Sequence, residues 1–259
     1  MKTILIDPYP REMKLIFTKE KLKLLKKNFK LINVPKSNKH KFYEQYISKA
    51  DFIIGQPDLS TDLIQKASKL KAIFNVESNF MDNMDYDYCF KNNIYVLSTA
   101  PVFAQTVAEI ALGFTISLKR DIHTSHLDFI NGNEKYGLEG NLNCSLLQNN
   151  KIGFIGFGDL GKNLKPLLHP FSSDFLVFDP WLPEKLLKDQ GCKPASLKKI
   201  FKECDVIYVL ASITTKNKNM IDKKLLNSMK ANSCLLLLSR ASVVDFNDLI
   251  DVVKKGKIK

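Results

Sequence analysis

The sequence has 259 residues, 45% hydrophobic and 25% charged, with 39 Lys and Arg against 27 Asp and Glu for a net charge of +12. That is enough apolar side chain for a sizeable core, and it excludes wholesale disorder. Only three of the basic residues are Arg (Arg11, Arg120, Arg240), and the Lys are spread along the whole chain. Base-reading surfaces draw on Arg forks, so the charge reads as a coding bias and no nucleic-acid partner is expected.

The five cysteines (Cys89, Cys144, Cys192, Cys204, Cys234) are odd in number and form no CxxC. They read as reduced structural thiols of a cytoplasmic protein. His123 and His126 have no nearby carboxylate or Cys cluster, so no metal site is expected and a surface helix pair is the reading. The clean apolar runs fall short of the ~20 residues of a membrane span, and no membrane partner is expected. Ile4 to Ile6 meets Asp7-Pro8 at once, which is not a signal peptide.

Taken in order, Thr3–Ile6, Leu31–Val34, Phe52–Ile54, Ala72–Val76 and Ile94–Leu97 read as strands. Thr18 caps a Lys-rich helix with an apolar face of Leu22, Leu25 and Phe29, Ser60 caps another helix, and Asn92-Asn93 ends a third. Strand-helix alternation predicts a parallel sheet with helices on both faces over residues 1–99. Val102 to Leu118 is apolar almost all round, with Glu109 as its only charge, and predicts a helix buried between domains or subunits. Asp121 to Asn150 turns polar and Gly-marked, which predicts an extended arm or loop, so residues 100–150 form a linking helix and arm. A second alternating unit fills residues 151–259. Its strands are Ile152–Ile155, Phe175–Phe178, Val206–Leu210 and Cys234–Leu238, with helices near 159–168, 196–203, 222–229 and 245–255.

That second unit opens with Gly156-Phe-Gly158-Asp159-Leu160-Gly161, a GxGxxG between a strand and a helix. Gly156 permits the tight turn, Gly158 lets the backbone approach a pyrophosphate, and Gly161 lets the helix pack on the strand. The helix start, at Asp159 and Leu160, offers unpaired amides to the phosphates. The next strand ends in Asp179, 18 residues past Gly161, where a ribose-binding carboxylate should fall. Its two oxygens can accept both ribose hydroxyls, and its charge repels a 2′-phosphate, which favours NAD over NADP. A structural Gly-rich turn, or a methyltransferase or flavin version of the same fold, remains open at this point.

Further pieces are Asp82-Asn-Met-Asp85, Thr106-Val-Ala-Glu109, Phe178-Asp-Pro180 and Ser239-Arg240-Ala-Ser-Val-Val-Asp245. Together with the glycine loop they resemble the D-isomer-specific 2-hydroxyacid dehydrogenases, from about Ile73 onward. The resemblance implies an α/β protein of two parallel-sheet domains. One is a flavodoxin-like N-terminal substrate domain; the other is a Rossmann NAD-binding domain, here lacking its last strands. It implies a small 2-hydroxy or 2-oxo acid substrate and a homodimer formed through the long helix and arm. Arg240 matches the Arg that holds the substrate carboxylate and carbonyl and steadies charge on the carbonyl oxygen. Ser239 falls with it on the cofactor side, and Ser78 and Asn79 stand in the loop whose amides bind the substrate carboxylate. That loop is usually Gly-rich; here Glu77 adds a charge. Ala211-Ser212 stands where the family often has a Pro-containing loop, and Thr106 reads as a helix cap or a cofactor contact, the cap being favoured.

The family's general acid/base His and its Glu follow the Arg, but this sequence has no His after His169 and no Glu after Glu203. Asp245, Asp248 and Asp251 follow Arg240 and read as helix cap and solvated face. The expectation is therefore a truncated dehydrogenase, a fragment or inactive alone. The alternative is a non-catalytic NAD-binding or interaction protein.

Overall fold

The computed structural model describes residues 1–78, 80–213 and 217–259. Contacts divide the chain into Met1–Ala100 and Pro101–Lys259. The first unit runs β1 (Thr3–Asp7), α1 (Met13–Ile16), α2 (Lys19–Asn28), β2 (Lys30–Asn33), α3 (Lys39–Tyr46), β3 (Phe52–Gly55), α4 (Thr61–Gln65), β4 (Ala72–Phe74), α5 (Tyr86–Lys91) and β5 (Tyr95–Leu97). Its five strands are all parallel in the order β2-β1-β3-β4-β5, the flavodoxin-like arrangement.

Both faces of this sheet are covered, which is why β1 reads as an unbroken apolar run. Leu5 packs on one face with Tyr43, Ile47, Ile53 and Ile73. Ile4 and Ile6 pack on the other with Ile54 and Val76, against Leu25 and Phe29. Thr18 caps α2 as expected, its Oγ1 accepting from the Lys21 N–H at 3.3 Å. Ser60 occupies the cap position of α4 but its side chain makes no capping bond. Asn93 ends the helical stretch after α5 with φ +57°.

The second unit runs α6 (Ala100–Arg120), α7 (Ile122–Ile130), α8 (Gly137–Asn141), β6 (Ile152–Ile155), α9 (Asp159–Leu168), β7 (Phe175–Phe178), α10 (Glu184–Asp189), β8 (Lys193–Pro194), α11 (Leu197–Glu203), β9 (Val206–Val209), α12 (Lys223–Ser228), β10 (Cys234–Leu237) and α13 (Phe246–Lys254). The parallel order is β10-β9-β6-β7-β8. Counted from β6, this is five strands of the six-stranded dinucleotide-binding order. Lys259 lies beside the start of β10, its N–H donating to the Ser233 carbonyl and its carbonyl accepting from Leu235, each at 2.9 Å.

α6 is not buried all round within this chain. A narrow stripe of Ala104, Ala108, Ala111, Thr115 and Lys119 is buried, while Val102, Ile110 and Phe114 are exposed. The Thr115 hydroxyl donates to the Ala111 carbonyl and meets the Tyr208 hydroxyl of β9 at 2.5 Å. α6 is also long and apolar enough, by length and composition, to cross a membrane, contrary to the reading of short runs. Thr106 lies exposed inside the helix, six residues past its start, and so is not its cap.

The arm is helical rather than extended. Asp121 at φ +54° breaks α6 from α7, and a turn through Gly132 precedes α8. His123 and His126 are exposed on α7. All five cysteines are free thiols.

Candidate cofactor and substrate site

β6 is fully buried and delivers its chain to the carboxyl edge between β7 and β9. This is the switch point of the sheet, where α/β folds bind ligands. Gly156 leaves the strand at φ +87°, a conformation side chains resist, and a Cβ there would lie 2.8 Å from the Ala211 backbone. Its N–H donates to the Phe178 carbonyl at 2.8 Å. Gly158 is exposed with nothing within 4 Å of a built Cβ, and it caps α9 without a side-chain bond. The first amides of α9, at Asp159 and Leu160, therefore stand at an open, uncapped, electropositive helix start. A Cβ on Gly161 would meet the Phe157 ring at 2.8 Å, so this glycine packs against its own loop rather than against the strand.

Asp179 follows β7 and is half-buried. Its Oδ2 accepts the Phe157 N–H of the glycine loop at 2.8 Å, while Oδ1 accepts Trp181 N–H at 2.9 Å and Leu182 N–H at 3.2 Å. A carboxylate offers about four lone-pair positions. The expectation that both oxygens are open to ribose is thus corrected: the open position lies on Oδ2, because Oδ1 already serves two amides.

On the other side of β6, past β9, the chain leaves β10 through Ser239 and Arg240. Arg240 is exposed and precedes a tight turn at Ala241–Val243. That segment is stapled to residues 219–221: Asn219 N–H donates to Ser242 O at 2.8 Å, Ile221 N–H to Val243 O at 3.1 Å and Asp245 N–H to Ile221 O at 2.9 Å. The Ser239 hydroxyl is buried without a hydrogen-bond partner among the described residues. As read from sequence, Asp245 caps α13 by accepting from Asn247 and Asp248, and Asp251 pairs with Lys223 at 2.9 Å.

The glycine loop, Asp179, Ser239 and Arg240 thus share one carboxyl edge. Ser78 lies half-buried after β4 of the first unit, and Asn79 falls outside the described residues. Beside Ser78, the Glu77 carboxylate accepts from Arg11 Nε at 2.8 Å, which neutralises the charge noted in the sequence. Sequence reasoning missed Arg11, 66 residues away. It also missed Asn75, 2% exposed, whose Oδ1 and Nδ2 lack partners among the described residues. Among those residues no cluster of His, Cys, Asp or Glu could hold a metal ion.

These features fit a dinucleotide: an open Gly158, an uncapped helix start, a carboxylate with a vacant lone pair and an unpaired buried hydroxyl. Residues 112–259 match the family model "D-isomer specific 2-hydroxyacid dehydrogenase, NAD binding domain". The chain is 27% identical over 210 residues to a glyoxylate reductase of Thermococcus litoralis, covering 76% of this chain and 60% of that protein. It is 27% identical over 201 residues to a hydroxypyruvate reductase of Thermotoga maritima, covering 77% of this chain and 63% of that one. The chain thus spans less than two thirds of these relatives' length. Among solved structures, a phosphoglycerate oxidoreductase from Rhizobium etli superposes with a TM-score of 0.82 at 37% identity, over all of this chain and 79% of that one. The chain belongs to the D-isomer specific 2-hydroxyacid dehydrogenase family and carries its NAD binding domain.

Proposed function

We propose that this chain binds NAD at the carboxyl edge of its second sheet, and that a protein built on it moves a hydride between NAD(H) and a small 2-hydroxy or 2-oxo acid. The glycine loop at the switch point carries the reading, because its open backbone is bonded to the carboxylate of the neighbouring strand. Gly156, Gly158, Asp159, Leu160 and Gly161 hold the pyrophosphate against the helix start. Asp179 takes a ribose hydroxyl on Oδ2, and Ser239 lies on the nicotinamide side. When bound, the cofactor supplies or accepts the hydride.

Arg240 grips the substrate carboxylate and favours the negative charge that builds on the carbonyl oxygen. Backbone bonds to residues 219–221 anchor the turn that follows it. Relatives named for glyoxylate and hydroxypyruvate support small oxo acids as substrates. The exposed apolar residues Ile110 and Phe114 of α6 support a homodimer through residues 100–150, and the five free thiols support a cytoplasmic location.

The second reading is NAD binding without turnover. The test is NADH oxidation by the purified chain with glyoxylate and hydroxypyruvate. Turnover that vanishes in Arg240→Ala supports the enzyme; NAD binding with no turnover supports the second reading.

A further inference from the structure

Trp181 is the single tryptophan of the chain and is 76% exposed. Tryptophan rings usually bury 150–250 Å² of surface, so an indole left in water two residues beyond Asp179 stands out. Its backbone is held firmly. Trp181 N–H and Leu182 N–H share Asp179 Oδ1, and Leu182 packs on the core of the second unit. Pro180 and Pro183 bracket the pair and restrict the turn. The same carboxylate holds the glycine loop through Phe157 N–H. One side chain therefore ties together the phosphate-facing loop, the ribose acceptor and the turn that presents the indole.

We propose that the Trp181 indole is a wall of the adenine subsite, a flat π surface on which the purine of NAD stacks. The inference rests on the NAD reading above and adds to it a residue that the dinucleotide motif does not contain. The ring is uncharged, so it recognises the purine face and leaves selection against a 2′-phosphate to Asp179. Aromatic–base stacking of this kind corresponds to about a tenfold or greater gain in affinity.

Being the only indole, Trp181 reports on its own contact. The experiment titrates the wild-type chain with NAD, AMP and nicotinamide mononucleotide, following heat and indole emission together. NAD and AMP should quench the emission, and nicotinamide mononucleotide, which has no adenine, should not. Trp181→Ala should weaken NAD about tenfold by calorimetry, Trp181→Phe should keep most of the affinity, and neither should alter binding of nicotinamide mononucleotide. NAD heat with unchanged affinity in Trp181→Ala, or with no change in emission, overturns the inference and leaves the NAD reading standing. No heat with NAD at all overturns both.

Discussion

The first strand of each unit is set inside a five-stranded parallel sheet, and in both the chain leaves that strand beside a switch in strand order. The two exits are built in opposite ways. β6 leads into Gly156-Phe-Gly158, where the backbone is bare and the helix start is uncapped. β1 leads into Asp7-Pro8-Tyr9-Pro10, where Asp7 is 4% exposed and bonded to Lys39 Nζ at 2.6 Å and to the Tyr43 hydroxyl at 3.1 Å. Burial and the adjacent carboxylate push the Tyr43 hydroxyl far above its ordinary range, so it stays a donor. The Asp7 carbonyl also fills the place a Cβ would take on Gly55. One topology thus carries an open glycine loop in one unit and a closed ionic plug in the other. The choice lies in a few residues at the exit, not in the sheet.

The sharpest way to break this contrast is Gly156→Val. Its φ of +87° and the Ala211 backbone at 2.8 Å predict at least ~2 kcal/mol lost from the second unit in urea unfolding, and no NAD binding. Asp7→Ala tests the plug. It should cost about 1–3 kcal/mol, because it strands a buried hydroxyl and an ammonium, while NAD affinity stays at the wild-type value. Gly158→Ala should show the reverse: stability within ~0.5 kcal/mol, since nothing lies within 4 Å, and NAD affinity reduced about tenfold. Equal losses of folding and binding in these two variants would contradict the division of roles.

The smallest effect is in acid. Burial works to raise the Asp205 carboxyl, but its bonds to Lys230 and to the Lys151 N–H outweigh this and hold it below the usual 3.8. A lowered folded-state value adds stability that is present above the unfolded value and lost as pH falls through the folded one. Urea midpoints should therefore drop below about pH 4 in the wild type, and less so in Asp205→Asn.

Much of the fold was legible because strands buried on both faces read as plain apolar runs, and GxGxxG announces its own turn. β8 was not legible: it is two residues long, ends in proline and lies on the sheet edge. Nor could the apolar length of α6 reveal that only the stripe from Ala104 to Lys119 is buried in this chain, since hydropathy does not record which face finds a partner. At the site, the types and order of Gly156, Asp179 and Arg240 were readable. The saturation of Asp179 Oδ1 by backbone amides and the Arg11–Glu77 pair were not, because both depend on contacts made only after folding.

The open glycine loop of the second unit is the NAD site we propose. Calorimetric titration of the 259-residue chain with NAD, run beside Gly158→Ala, tests it most directly. We predict one NAD per chain in the wild type and about tenfold weaker binding in the variant, with stability within ~0.5 kcal/mol of the wild type. No heat in the wild type, or equal affinity in the two proteins, would contradict it.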